Sequence, residues 1–256
     1  MHLDHIQITV VQVDNYGPWT ETLGPDRESR LQVLQARLYA FLQENFSSKG
    51  GIVFFNRFDE MVAVTNGITV SEHKDIASKV ERRFPVTVSM GIGSGADALE
   101  AAQKASAAVQ SLGSAQSPLR RSSVSAFSTS EEGRVEIAHL DIKNVTRLTD
   151  KEPVYVTSNL IITLQRELIE KFQAVRGLVF YLGGDNFMGV SAGLPREFYR
   201  GLYGYLVPIV GGVRISVANA TRARRAAELA TQGLDRLRKN GGEINMTSDN
   251  FVIQYK

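Results

Sequence analysis

Two kinds of hydrophobic spacing alternate along this chain. In some stretches apolar residues recur every three or four positions and so fall on one face of a helix, as do Leu34, Leu38, Leu42 and Phe46. In short runs such as VTVSMGI, from residue 86, and VRISVA, from residue 213, they recur at every second position, which is typical of strands. Taken in order, each half of the chain predicts strand, helix, hairpin, helix, strand and helix.

The predicted elements repeat because the sequence repeats. Residues 34–67 align without a gap with residues 160–193, and leucines, phenylalanines, glycines and one aspartate coincide in the two stretches. The order β-α-β-β-α-β in each half predicts an α+β fold of two tandem, duplicated ferredoxin-like domains, each an antiparallel sheet with helices on one face. We expect the domains to span residues 1–112 and 134–256. The serine-rich stretch 113–133 predicts a linker or surface loop.

Composition narrows the chemistry that this chain can perform. It has no cysteine, which excludes disulfides, thiolate nucleophiles and cysteine-ligated zinc, and its four histidines show no HxxxH or HxH spacing. Any metal is therefore expected to be a hard cation held by carboxylates. The net charge of +2 gives no reason to expect nucleic acid or an anionic membrane as a partner. Without a long apolar run or a signal-peptide pattern, a cytoplasmic protein is expected.

Each half has an acidic residue at or just after its first strand and another in its hairpin. Asp14 and Asp141 end or follow the first strand, and Asp59 and Asp185 lie in the hairpin. If strand and hairpin are neighbours in the sheet, two carboxylates share one small surface, and they need a cation, a shared proton or open water. Mg²⁺ fits this need because it takes one or two carboxylates and fills its other positions with water and phosphate oxygens. Solvated turn carboxylates are the simpler alternative for any single pair.

The hairpin of the second half contains Gly183, Gly184, Asp185 and Asn186 in a run that is otherwise apolar. An ordinary turn would account for these residues. Glycines would also let phosphate groups approach the backbone and accept hydrogen bonds from its N–H groups. Because the aspartates recur in both halves, metal–nucleotide chemistry is favoured over a turn alone.

The GGDN hairpin resembles the GGDEF signature of diguanylate cyclases, which share a palm domain with the nucleotidyl cyclases. In that family an aspartate on the first strand and the acidic residue after Gly-Gly bind metals, and Asp141 and Asp185 match these positions. The first half departs from the signature, since Gln12 stands at the position of Asp141 and NRFD replaces GGD. Asn186 also replaces the next acidic residue, and these departures argue against a working diguanylate cyclase.

A more extensive resemblance covers nearly the whole chain. The block QITVVQVDNYGPWTETLGPDRESRLQVLQARLYAFL and the shorter segments RFDEMVAVTNGI, FPVTVSMGIG, VEIAHLDIKNVT and GGDNFM resemble archaeal GTP cyclohydrolase of type III. This resemblance implies Mg²⁺-dependent hydrolysis of GTP, with two or more Mg²⁺ ions in the active site. The expected product is 2-amino-5-formylamino-6-ribosylamino-4(3H)-pyrimidinone 5'-monophosphate, a precursor for riboflavin and deazaflavin, with cleavage of the released pyrophosphate to phosphate. A homo-oligomer, either dimer or tetramer, is also implied.

Each candidate residue has an expected role. Asp141 and Asp185 are expected to bind the metal, and Asp14 and Asp59 either bind further metals or accept hydrogen bonds from guanine. Together these four aspartates form the expected catalytic set. The residues expected to contact the nucleotide are Asn15, Tyr16, Arg57, Phe58, Lys143, Gly183, Gly184 and Asn186.

Three functions remain open on the sequence alone. A cyclohydrolase would change the ultraviolet spectrum of GTP and release phosphate. A nucleotidyl or diguanylate cyclase would release pyrophosphate and leave the guanine spectrum intact. An inactive palm domain would bind GTP without converting it.

Overall fold

The computed structural model describes residues 5–130, 133–143, 145–248 and 251–255. The chain divides into two compact units, one formed by Met1–Ala96 and Glu100–Gly133 and the other by Asp97–Leu99 and Arg134–Lys256. Within the described residues, no helix has both the length and the apolar character needed to cross a membrane.

The first unit is built on a five-stranded sheet. Its elements are β1 (Ile6–Val13), α1 (Tyr16–Glu21), α2 (Arg27–Ser47), β2 (Ile52–Arg57), β3 (Glu60–Val64), α3 (Val70–Arg83), β4 (Val88–Gly95), α4 (Ala98–Gln110) and β5 (Val124–Ala126). The first two residues of α4 group with the second unit. The strand order is β2-β3-β1-β4-β5, with antiparallel pairs except for the parallel pair of β4 and β5.

The second unit repeats this plan in a six-stranded sheet. Its elements are β6 (Val135–Ile142), α5 (Val145–Thr149), α6 (Val154–Ala174), β7 (Leu178–Gly183), β8 (Asn186–Ser191), α7 (Arg196–Val210), β9 (Val213–Ala220), α8 (Ala223–Asn240), β10 (Ile244–Ser248) and β11 (Phe251–Tyr255). The order is β11-β10-β9-β6-β8-β7. Its segment β9-β6-β8-β7 matches β4-β1-β3-β2 of the first unit, so the predicted duplicated ferredoxin-like fold is confirmed.

The repeated leucines and phenylalanines form equivalent cores. In the first unit Leu38, Leu42 and Phe46 of α2 pack with buried residues of the sheet and α3. In the second unit Leu164, Leu168 and Phe172 of α6 do the same with the sheet and α7. The spacing that predicted two amphipathic helices therefore also selected the residues that they bury.

The expectation that all helices lie on one face of each sheet is wrong. The last helix of each half covers the opposite face. A Cβ atom at Gly91 of β4 would lie 2.2 Å from the carbonyl oxygen of Ala105 in α4, whereas the next residue on that strand, Met90, belongs to the core with α2 and α3. β1 is buried at nearly every position, and a strand buried on both sides needs cover on both faces.

The serine-rich segment 113–133, expected as a linker or surface loop, belongs to the first unit. It contributes β5, which pairs with β4 from Val124 to Ala126. Several of its side chains and backbone groups also reach the end of β1.

Candidate functional site

The hairpin between β7 and β8 presents Asp185 at an open tip. Gly183 and Gly184 both have positive φ angles, 109° and 60°, which side chains on other L-residues rarely tolerate. A Cβ atom at either glycine would have no heavy atom within 4 Å, so packing does not exclude a side chain there. The glycines are needed for the backbone conformation, and they leave space beside Asp185 for a ligand.

The structure brings Asp141 and the hairpin tip to the same edge of the sheet. Asp141 lies opposite Asn186 in the pairing of β6 with β8, and the backbone N–H of Ile142 donates to the carbonyl oxygen of Asp185 over 3.0 Å. The backbones of Asp141 and Asp185 are therefore adjacent in the second unit.

Two arginines neutralise Asp141. Its buried carboxylate accepts hydrogen bonds from Nη1 of Arg214 at 2.9 Å and from Nη2 of Arg238 at 2.8 Å. The hydrogen bond to Asp141 is the main reason that the pKa of Arg238 is raised. The Arg238 side chain remains 43% exposed. Sequence reasoning missed both arginines, because β9 and α8 reach Asp141 only through the fold.

A histidine and an asparagine orient Asp185. The Asn186 side-chain amide donates to Oδ1 of Asp185 at 2.6 Å, and the amide oxygen of Asn186 lies 3.0 Å from Nε2 of His139. Because that oxygen can only accept, the network assigns the proton to Nε2 of His139. Burial lowers the pKa of His139, which favours its neutral form. Sequence reasoning did not assign His139 to the site, because it lies within the apolar run of β6.

Lys143 contributes to a different feature. Its ammonium lies 3.6 Å from a carboxylate oxygen of Glu243, and its side chain lines a cavity of about 520 Å³ together with Lys151 and Glu152. Lys143 was expected to contact the nucleotide, and the structure places its ammonium beside Glu243 on this cavity.

In the first unit, the Asp14 carboxylate accepts hydrogen bonds from three protein groups. Its Oδ1 accepts from Nε of Arg120 at 2.8 Å, and its Oδ2 accepts from the Thr87 hydroxyl at 2.8 Å and from the Ser122 N–H at 3.0 Å. The side chain is buried. Protein groups take three of its roughly four lone-pair sites, and its Arg120 partner is only 2% exposed where the Arg238 partner of Asp141 is 43% exposed, so we leave Asp14 out of the ligand set proposed below.

Asp59 stands at the hairpin tip of the first unit, where its backbone carbonyl accepts the Val13 N–H. Arg57 lies between two carboxylates, with Nε 3.6 Å from Asp59 and Nη2 3.3 Å from Glu60. Glu60 also accepts a hydrogen bond of 2.6 Å from the side-chain amide of Gln12. The positive charge of Arg57 is thus paired with two carboxylates of its own hairpin.

Two of the predicted nucleotide-binding residues, Tyr16 and Phe58, line one cavity of about 850 Å³ between α2 and the first hairpin. Phe58 is 62% exposed and meets Phe55 edge-on at 5.4 Å, and Phe55 stacks on Tyr39 at 4.0 Å. Exposed aromatic faces of this kind suit a planar base.

Polar groups line the wall of the same aromatic cavity. The Gln35 amide donates to the Tyr16 hydroxyl at 2.6 Å. Burial raises the pKa of Tyr16, and the negative charges of Asp59 and Glu28 act in the same direction. Sequence reasoning missed Glu28 and Gln35, because polar positions on an amphipathic helix normally face water. Asn15 instead lines a cavity of about 150 Å³ beside Trp19.

Asp141 and Asp185, at the second hairpin, suit Mg²⁺ better than a metal that needs three or more protein side chains as ligands. Among the residues that the structure describes, no three or more His, Cys, Asp or Glu side chains converge on one point. Mg²⁺ needs only one or two carboxylates when water and phosphate oxygens complete its shell. Asp141 and Asp185 are the pair that could hold it.

Comparison with known proteins agrees with these features. The family model described as GTP cyclohydrolase III matches residues 7–254. A GTP cyclohydrolase III from Methanothermobacter thermautotrophicus is 41% identical, covering 91% of this chain and 94% of that protein. The GTP cyclohydrolase III of Methanocaldococcus jannaschii is 40% identical, covering 91% of this chain and 88% of that protein.

This chain is also similar to solved structures of GGDEF and GGEEF domains. The GGDEF domain of DgcB from Caulobacter crescentus, in complex with c-di-GMP, has a TM-score of 0.38 and 14% identity, covering 46% of this chain and 79% of that chain. A GGEEF domain of a diguanylate cyclase from Vibrio cholerae has a TM-score of 0.37 and 14% identity, covering 50% of this chain and 85% of that chain.

Proposed function

We propose, from the premise that this chain belongs to the GTP cyclohydrolase III family, that it hydrolyses GTP by opening the imidazole ring of guanine. The proposed product is 2-amino-5-formylamino-6-ribosylamino-4(3H)-pyrimidinone 5'-monophosphate, and the pyrophosphate that is split off is cleaved to phosphate. The observation that carries the proposal is the 41% identity to a GTP cyclohydrolase III over 91% of this chain. The second hairpin and the aromatic cavity of the first unit both support the proposal. Asp185→Asn tests the hairpin and Phe58→Ala tests the cavity.

The second hairpin supports the metal and phosphate part of the proposal. Mg²⁺, held by Asp141 and Asp185, would neutralise phosphate charge when bound. Gly183 and Gly184 leave space for phosphate at the tip, and Arg238, which is 43% exposed, can exchange Asp141 for a phosphate oxygen. In the absence of a nucleotide, Asp141 pairs with Arg214 and Arg238. This pairing holds a negative ligand for the metal and positive groups for phosphate next to each other.

The aromatic cavity of the first unit supports recognition of a purine. Phe58 and Tyr16 offer ring faces for stacking, and Glu28 lines the wall as a hydrogen-bond acceptor. Guanine presents two adjacent donors, N1–H and N2–H₂, and a carboxylate can accept from both. A site built to satisfy these donors would reject adenine, which lacks them.

Incubation of the purified protein with GTP and Mg²⁺ tests the proposal. We expect the guanine absorption band to change as the ring opens, and phosphate to accumulate in step with it. A nucleotidyl or diguanylate cyclase would release pyrophosphate and leave the band unchanged. An inactive GTP-binding domain would change neither signal.

Removal of metal is expected to abolish turnover. Protein stripped with a chelator should regain its rate when Mg²⁺ is added and should not regain it with Zn²⁺, because carboxylates and phosphate oxygens are hard ligands and the chain has no cysteine. Rates are measured by phosphate release across a titration of each ion. Full activity in excess chelator would contradict a role for Mg²⁺.

Replacement of Phe58 by alanine is expected to raise the KM for GTP by about 10-fold, because stacking of a base on an aromatic ring contributes roughly 1–3 kcal/mol. The melting temperature should change little, since the side chain is 62% exposed. Phe127→Ala is the matched control, as Phe127 is 68% exposed in the same unit and does not line the aromatic cavity. Equal effects of the two substitutions on KM would exclude Phe58 from the base site.

A further inference from the structure

We propose that residues 113–123, here called the strap, hold both walls of the aromatic cavity in place, and that Arg120 is the positioning residue through which they do so. This inference rests on the proposed function, since it assigns the cavity lined by Tyr16 and Phe58 to the base of GTP. Arg120 touches neither of those rings. It acts through the residues at the end of β1 that precede Tyr16 and support the hairpin.

Arg120 is buried and makes three directed contacts. Its Nε donates to Oδ1 of Asp14 at 2.8 Å, and both side chains are only 2% exposed. Its Nη1 donates to Oε1 of Gln12 at 3.0 Å and to the Gly113 carbonyl at 3.3 Å. A planar guanidinium can hold several acceptors at fixed angles at once, which a lysine ammonium on a flexible stem cannot do equally well.

The strap also binds the junction between β1 and α1 through its backbone. The Asn15 N–H donates to the Ala115 carbonyl at 2.7 Å, and the Ser122 N–H donates to Oδ2 of Asp14 at 3.0 Å. Asn15 has a φ of 51°, a left-handed conformation that asparagine adopts more readily than most residues, so the chain turns sharply at this junction. The residue that follows this junction is Tyr16, so the strap sets the position of one wall.

The second wall is reached through Gln12. While its Oε1 accepts from Arg120, its Nε2 donates to Glu60 at 2.6 Å. Glu60 in turn accepts from Asn56 at 2.7 Å and from Arg57 at 3.3 Å. These residues flank the hairpin turn that carries Phe58. One buried guanidinium is therefore connected to both aromatic walls.

At the end of its first strand, the second unit has different residues and different partners from those of the first unit. The fold itself therefore does not require the strap. Lys143 stands where Asp14 stands in the first unit, and Asp141 stands where Gln12 stands. The partners of Asp141 come from β9 and α8, namely Arg214 and Arg238.

The experiment compares Arg120→Gln with Arg30→Gln, since Arg30 lies in the same unit, is 61% exposed, pairs with Asp26 at 3.1 Å and lines neither the aromatic cavity nor the small cavity beside Trp19. Trp19, the single tryptophan of the chain, lines the small cavity beside Arg120 and reports on the junction without any nucleotide. We expect acrylamide quenching of Trp19 to increase about twofold in Arg120→Gln, because loss of the buried pair frees the junction. Arg30→Gln should quench like the wild type.

The second readout is the kinetics of GTP conversion. Arg120→Gln should raise KM by about 10-fold with a smaller change in kcat. This split is expected because displaced cavity walls weaken the binding of substrate and transition state alike. Arg120→Lys should recover part of this loss because it keeps the charge opposite Asp14. If Arg120→Gln does not fold, the double variant Arg120→Gln/Asp14→Asn, which leaves no lone buried charge, replaces it.

Unchanged quenching in a folded Arg120 variant would overturn the proposal, and so would increased quenching with an unchanged KM. The quenching comparison contains no GTP. If the wild type left GTP intact, the proposed function would fail, and the quenching result would still decide whether the strap holds the junction.

Discussion

Replacement of Asp185 by asparagine is expected to lower the rate of GTP consumption by about 100-fold or more, because a charged group that stabilises developing charge typically contributes that much. The melting temperature should stay within the error of the measurement. Asparagine suits a turn as well as aspartate does, and it is nearly isosteric, so the hairpin has no reason to change. GTP consumption, phosphate release and thermal unfolding are measured on the same preparation.

Asp150→Asn serves as the matched control, since Asp150 is an exposed aspartate of the same unit, just beyond α5. It should retain the wild-type rate. For Asp185→Asn we also expect the Mg²⁺ concentration that gives half the maximal rate to rise by about 10-fold, as one negative ligand is lost. Near-normal turnover at unchanged stability would make the GGDN hairpin an ordinary turn.

Replacement of Asp141 by asparagine is expected to cause a loss of similar size, about 100-fold or more in the rate, together with a loss of stability. Two guanidiniums would be left without their shared carboxylate. We expect the free energy of unfolding to fall by about 1–3 kcal/mol, which is typical when a buried hydrogen-bonding partner is removed. The value should lie at the lower end because the Arg238 side chain can turn into water. Rates and denaturant unfolding measure the two effects.

A double variant separates the two roles that Asp141 could have. Asp141→Asn/Arg214→Gln removes one unpaired positive charge and leaves Arg238 free for phosphate, and it should recover part of the stability, since paired changes at a contact are not additive. If Asp141 binds the metal, the double variant stays inactive. Recovery of activity along with stability would mean that Asp141 serves only to neutralise arginine.

Most of the fold could be predicted from the sequence because the information is local. The i, i+4 spacing of Leu34, Leu38 and Leu42 and the alternation in strands each specify an element and its buried face. Because the sequence is duplicated, the same order of helices and strands could be predicted independently in each half. Periodicity does not specify the face of the sheet on which a helix packs. For that reason the helices α4 and α8 were expected on the wrong face.

The candidate site was only partly accessible from the sequence. Asp185 was found because the repeat aligns it with Asp59, and Asp141 because it matches the strand aspartate of the GGDEF family. Tyr16 and Phe58 were found because they lie near Asp14 and Asp59. Arg120 was missed, as it lies 106 residues beyond Asp14 in a segment whose composition is typical of a linker. Ion pairs over such distances depend on the tertiary structure, and a single sequence carries no signal for them.

The measurement that tests the central claim most directly is mass analysis of the product formed from GTP and Mg²⁺ by the wild-type protein. We predict a nucleoside monophosphate that has gained one water at the opened ring and still carries the formyl carbon, with phosphate as the other product. Intact GTP, or a cyclic or dinucleotide product with pyrophosphate, would contradict it.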